Sequence, residues 1–200
     1  DGELHVLHLA PVGLQALEVS TGGANAAVGW SALQSNTTGA RNTAVGYYAL
    51  KSNTTGQTNT ALGAEAAAYL TTGVENTAVG FSALYYATDT YRNTAIGSRA
   101  LNGNGYSPGD RNTAVGADAL RYTTGADNIA VGYEAGVNVG AGSDNILIGH
   151  DGESADDDTI RIGNGQTSTF IAGIYGTPVA GGPVEVTASG QLGVGTDDDT

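Results

Sequence analysis

The densest set of potential metal ligands in the sequence is the acidic run Asp151, Glu153, Asp156, Asp157 and Asp158. Carboxylates are the oxygen donors that Ca²⁺ takes, about six to eight at a time. The run is therefore a candidate Ca²⁺ site. It matches neither the EF-hand loop nor the RTX nonapeptide, so a solvated acidic loop is the other reading, and no other cofactor is expected. His150 precedes Asp151, but no nucleophile or second base completes an acid–base arrangement. His5 and His8 are three apart and offer ligands for a metal shared across a trimer. Glu65 stands in a segment not adjacent to those of Asp118 and Glu134, and no carboxylate pair is expected to be positioned for glycoside hydrolysis. Catalysis is not expected.

A second set of residues suits binding. Trp30, Tyr47, Tyr48, Phe81 and Tyr133 occupy the two positions that vary within an otherwise repeating pattern. Aromatic faces match the apolar faces of sugar rings, so these residues are candidates for contact with a glycan or protein receptor. The alternative is aromatic packing between neighbouring repeats. Asn36 and Asn53 fit glycosylation sequons, as expected of repeats built from Asn and Thr.

What positions these residues is the repeat itself. Asn-Thr-Ala-Val-Gly, with small changes, recurs from Asn25, Asn42, Asn59, Asn76, Asn93, Asn112, Asn128 and Asn145, at spacings of 17, 17, 17, 17, 19, 16 and 17. The Gly four residues on never fails, as at Gly46, Gly63, Gly80 and Gly97. Ala-Leu follows in most copies, and several close with Thr-Thr-Gly. Seventeen residues are too few for a helical-hairpin repeat of about 33 or a propeller blade of about 40. They fit short strands and turns, one coil of a parallel β-solenoid or β-roll. The sequence thus predicts an all-β chain with about eight coils of ~17 residues, advancing ~4.8 Å per coil.

Side chains alternate along a strand, so Thr43 and Val45 share one face and Asn42, Ala44 and Gly46 the other. The bulky set Val28, Val45, Leu62, Val79, Ile96, Val115 and Val131 is expected inside the coil with the Thr column, with Leu147 out of register. The unbroken Ala column is then expected outside, against another copy of the chain, or else to keep a single-chain solenoid narrow. The Asn residues (Asn42, Asn59, Asn76 and Asn93 among them) are expected to stack as an amide ladder. The Gly residues are expected where φ is positive or backbones approach closely. Flat Thr arrays also raise ice binding; inward-pointing Thr and the break at Thr88-Asp89-Thr90 argue against it.

Composition narrows the classes. The chain has 200 residues, no Cys, no Met, 32 Gly, and a formal charge of −13. Disulfides and thiolate metal sites are excluded, and a net negative chain offers no electrostatic footprint for nucleic acid. No apolar run approaches the ~20 residues of a membrane-spanning helix, so no membrane insertion is expected. Three regions follow: 1–24 as an entry coil or junction, 25–149 as solenoid repeats, and 150–200 as a β-rich cap or collar. The last holds nine acids and one base. Strands are expected there at Thr159–Gly163, Ser168–Gly176, and on both sides of the Gly181-Gly182 turn. Leu101–Asp110 reads as a protruding insertion.

The runs Asn42–Leu50, Ser52–Gly63 and Asn76–Leu84 resemble the repeats of trimeric phage tail-fibre and surface-fibre proteins. They are also similar in style to the Asn-Ser-Val-Ala-Ile-Gly repeats of trimeric autotransporter adhesin heads. The stretches Asn145–Val179 and Val184–Thr196 resemble the segment that precedes an endosialidase-type intramolecular chaperone domain. In that family the chaperone assists trimerisation and cuts itself away at a Ser just past a Gly-Gln-Leu-Gly-like sequence. Gly190-Gln191-Leu192-Gly193 is present here, followed by Thr196–Thr200 in place of the expected Ser-Ser-Arg-Arg. The resemblance implies a homotrimeric, extracellular fibre body without its chaperone, on a virion or cell surface. Its implied partners are two further copies of itself and a host-surface glycan or protein. A self-assembling filament subunit and, further off, a polysaccharide-degrading spike are the other readings.

Overall fold

The computed structural model describes residues 13–166, 184–186 and 192–194. Residues 1–12, with His5 and His8, and most of the expected collar lie outside the described residues. The described structure is all-β, and no helix in it is long and apolar enough to cross a membrane. Nine three-residue strands stack in chain order into one parallel sheet. They are β1 (Ala26–Val28), β2 (Thr43–Val45), β3 (Thr60–Leu62), β4 (Thr77–Val79), β5 (Thr94–Ile96), β6 (Thr113–Val115), β7 (Ile129–Val131), β8 (Ile146–Ile148) and β9 (Ile160–Ile162). Equivalent repeat positions pair, Ala44 with Ala61 and Ala61 with Ala78. This is a parallel β-solenoid of about eight coils of ~17 residues, with a sheet about 40 Å long at ~4.8 Å per strand.

The ladder extends past the recognised repeats at both ends. β9 pairs in register with β8, matching Ile146 to Ile160 and Ile148 to Ile162. Before β1, the Leu17 amide donates to Ala32 O and the Thr21 amide to Thr37 O. Gly13 shares the φ near +135° of the later repeat glycines. The sequence signal was present but unread: Gly13-Leu14-Gln15-Ala16-Leu17 repeats Gly29-Trp30-Ser31-Ala32-Leu33, 16 residues earlier.

The structure reverses the expected strand faces. Ala44, Ala61, Ala78, Ala95, Ala114 and Ala130 are fully buried, whereas Val28, Leu62, Ile96 and Val131 are exposed. Thr43 and Thr60 also face outward. Leu147 is not out of register but lies in the Ala column, paired with Ala130. The reason is width. Behind each strand the interior already holds the second Ala and the Leu of the same coil, such as Ala49 and Leu50, both fully buried. Where that Leu is present only a methyl fits opposite it; Leu147 has room because Gly136 stands in place of a Leu.

Two backbone features hold the coil closed. Gly46, Gly63, Gly80 and Gly97 have φ between +132° and +140°, and a Cβ on Gly46 would overlap the Gly63 carbonyl of the next coil. That is why the Gly never varies. The buried Asn ladder forms the opposite corner, by a bond other than amide-on-amide stacking alone. Each side-chain carbonyl accepts the next Asn's backbone N–H, Asn42 Oδ1 from Asn59 at 2.9 Å and Asn59 Oδ1 from Asn76 at 3.0 Å. Every Nδ2 of the ladder but that of Asn93 then donates to a turn carbonyl, Asn42 to Gly56 O and Asn59 to Gly73 O, both 2.8 Å. Inside a thin core these amides satisfy the polar groups that a turn would otherwise leave stranded.

Residues 166–200 form a separate compact unit. Its described part is an antiparallel pair, β10 (Val184–Val186) with β11 (Leu192–Val194), in the register Val184 to Val194.

Candidate functional site

The outward sheet face carries two columns. One runs Thr43, Thr60, Thr77, Thr94 and Thr113 before changing to Ile129, Ile146 and Ile160. The other is aliphatic throughout, from Val28 to Ile162. The repeat Gly then turns the chain, and the next residue begins a third column with Leu14, Trp30, Tyr47, Phe81 and Tyr133, all exposed. Ala64, Ser98 and Ala117 interrupt it. Aliphatic and aromatic columns together make an apolar stripe along the whole sheet. Contiguous exposed apolar surface of this extent marks an interaction face on a soluble protein.

The aromatic candidates are therefore not one cluster. Trp30 and Tyr47 are on adjacent coils, while Phe81 and Tyr133 are further along. Tyr48 takes the next position, at φ +60°. Its ring stacks on Tyr47 at 3.9 Å between centroids, and Lys51 Nζ sits 4.0 Å above it. Tyr133 donates its hydroxyl to Glu134 Oε1 at 2.7 Å, and this bond raises the Tyr133 phenol pKa.

A second aromatic group went unread in the sequence. Tyr69, Tyr85 and Tyr86 follow the Ala-Leu positions rather than the Gly, and adjacent coils bring them together. The Tyr69 and Tyr86 rings are parallel within 6° at 5.8 Å; Tyr85 meets both edge-on, at 5.0 and 4.8 Å. Tyr48, Lys51, Glu65, Tyr69 and Tyr85 line a small groove of about 140 Å³. The Glu65 carboxylate is fixed by the Ser82 hydroxyl at 2.9 Å. Burial and a hydrogen bond with Tyr69 push the Tyr85 phenol up to about 12. The available signal was a local excess of Tyr on turns where other coils carry Ser, Gln or Asn.

The acidic run does not converge. Asp156 is buried and held by Arg161 through two hydrogen bonds of 2.8 and 2.7 Å. The Arg161 guanidinium, helped by the Glu153 amide, lowers the Asp156 pKa against the effect of burial. Asp157 Oδ1 accepts the Ser143 amide. Asp151, Glu153 and Asp158 complete no metal cluster, and among the described residues no three His, Asp or Glu side chains are grouped to hold an ion. His150 Nδ1 accepts the Gly152 amide. Arg161 itself occupies the inward column that Ala fills elsewhere, at the C-terminal end of the sheet.

Fold and surface together define a parallel β-solenoid repeat protein with one apolar long face. No protein-family model, curated protein or solved structure matches the chain.

Proposed function

We propose that the chain is the body of a homotrimeric extracellular fibre, of the kind found on phage tails and bacterial surfaces, that carries host-attachment residues on a rigid rod. The observation that carries this reading is the apolar stripe on the outward sheet face. Full burial of a Leu, Ile or Val is worth about 1.5–3 kcal/mol; Val28, Leu62, Ile96, Val131 and Ile148 are 40–49% exposed, so each forfeits part of that, on coil after coil. A second and third copy packed along the same axis would remove it. Three such sheets around a threefold axis replace the Ala-face contact expected from the sequence. The repeat resemblance supports the same arrangement. In this reading the chain displays and binds rather than catalyses.

Light scattering tests this directly. A mass three times 20.0 kDa is expected, unchanged by chelator, and the double variant Leu62→Asp with Ile96→Asp should fall to one chain with its circular dichroism preserved. A wild-type monomer would refute the trimer, and dissociation on chelation would return Ca²⁺ to the account. Micrographs of indefinite filaments would favour a self-assembling filament. Release of oligosaccharide from capsular or lipopolysaccharide glycans would favour a degrading spike.

One observation favours a different reading. Five Thr residues in register, beside an aliphatic column, form a regular array of the kind that orders water as ice. Inhibition of ice recrystallisation, lost in Thr77→Leu, would support it; its absence would dismiss it.

A further inference from the structure

We propose that the groove between Tyr48, Lys51, Glu65, Tyr69 and Tyr85 is a carbohydrate subsite that takes one pyranose ring. This rests on the attachment reading above and names the ligand class, but the site lies within a single chain.

The argument starts from the shape of a pyranose. One face of the ring is made of C–H groups and its rim of hydroxyls, so a receptor needs an aromatic plate with donors and acceptors at its edge. Tyr69 supplies the plate: it is 47% exposed, and the parallel ring of Tyr86 and the perpendicular ring of Tyr85 brace it. Preorganised rings lose little entropy on binding. At the rim, Glu65 accepts hydrogen bonds and Lys51 donates them. Glu65 is already oriented by Ser82, and Lys51 is held over Tyr48. The Tyr85 phenol stays protonated at physiological pH, so it can donate as well as accept.

Size and charge exclude the competing ligands. About 140 Å³ is below the ~300–1,000 Å³ of pockets for drug-sized molecules. Tyrosines around a carboxylate would also suit a quaternary ammonium, but the Lys51 ammonium already occupies the Tyr48 face and repels a second cation. The groove lies on turns rather than on the strand face, and Tyr48, stacked on Tyr47 of the apolar stripe, marks the border between the two.

The test is saturation-transfer NMR on the whole chain with methyl glycosides of glucose, galactose, mannose and N-acetylglucosamine, and with choline as the cationic control. At least one glycoside should receive saturation at its ring C–H protons. Its affinity should fall roughly tenfold in Tyr69→Ala, hold in Tyr69→Phe, and fall several-fold in Glu65→Gln. If Tyr69→Ala proves unfolded by circular dichroism, Glu65→Gln reads the same site. No transfer to any glycoside, equal binding by folded Tyr69→Ala and Glu65→Gln, or preferential binding of choline would overturn the proposal. A trimer that binds no sugar defeats the subsite and leaves the fibre; a monomer that binds sugar does the reverse.

Discussion

Arg161 closes on Asp156 with both of its facing nitrogens, Nε to Oδ2 at 2.8 Å and Nη2 to Oδ1 at 2.7 Å. The pair sits where the inward Ala column ends. A solenoid must cover its last coil, because an open end exposes core and unpaired strand edge together. Here the column of methyl groups ends in a guanidinium neutralised by a buried carboxylate, so the described coils carry their own polar terminus. Sequence analysis read Asp156 as a candidate Ca²⁺ ligand; its two oxygens are instead occupied by Arg161.

The Asp156 pKa is lowered in the fold, chiefly by Arg161. Its contribution to stability is therefore complete above the unfolded carboxylate pKa of about 3.9 and is lost as pH falls through the folded value. The melting temperature should hold from pH 7 to about 5 and drop below about 4. Asp156→Asn should cost about 1–3 kcal/mol at pH 7 and make the acid limb shallower. An unaltered acid limb would show that the pair contributes nothing.

Asn76 and Asn93 occupy equivalent corners but differ in their bonds. Asn76 donates from Nδ2 to Thr90 O at 2.8 Å and accepts the Asn93 amide at 3.0 Å. Asn93 accepts the Asn112 amide at 2.8 Å, but its Nδ2 has no partner among the described residues. The two-residue insertion falls in that coil. Asn76→Ala should destabilise by about 2–4 kcal/mol, since it strands a buried donor and a buried acceptor, and Asn93→Ala by clearly less. Chemical denaturation compares them, and equal losses would contradict the ladder bookkeeping.

Leu147 and Gly136 compensate one another. Leu147 fills the Ala column, and Gly136 stands where most coils place Leu. A Cβ on Gly136 would lie 2.6 Å from Leu120 Cδ2 and 3.3 Å from Leu147 Cδ1. Leu147→Ala should cost about 2–4 kcal/mol through the cavity left behind, and Gly136→Leu should destabilise by overpacking. The double variant restores the common repeat pattern and should be more stable than the sum of the single changes predicts. A double-mutant cycle measures this coupling; strict additivity would count against it.

Thr58 is exposed yet held at φ +58°, a region that β-branched residues avoid. Its amide donates to Ala40 O at 3.0 Å, a backbone bond that Asn at this position keeps. Thr58→Asn should therefore stabilise by about 0.5–1 kcal/mol, which corresponds to a rise of roughly 2–4 °C per kcal/mol for a chain of this length. A scanning calorimetry trace with a lower midpoint would contradict the strain argument.

The period was legible because one coil is one supersecondary unit, and stacking puts like residues against like. Asn42, Asn59 and Asn76 at fixed spacing implied a corner ladder, and the unfailing Gly46, Gly63 and Gly80 implied a backbone with no room for Cβ. Both follow from local chemistry repeated along the chain. What the sequence left open was a sign. Alternation divides Thr43, Ala44 and Val45 between two faces but does not say which is inside, and bulk alone pointed the wrong way. The interior width decides it, and that width depends on Ala49 and Leu50 folding back behind the strand. The same holds for Tyr48, Tyr69 and Tyr85, which are 16 or more residues apart in the chain. Only the stacking of coils makes them neighbours.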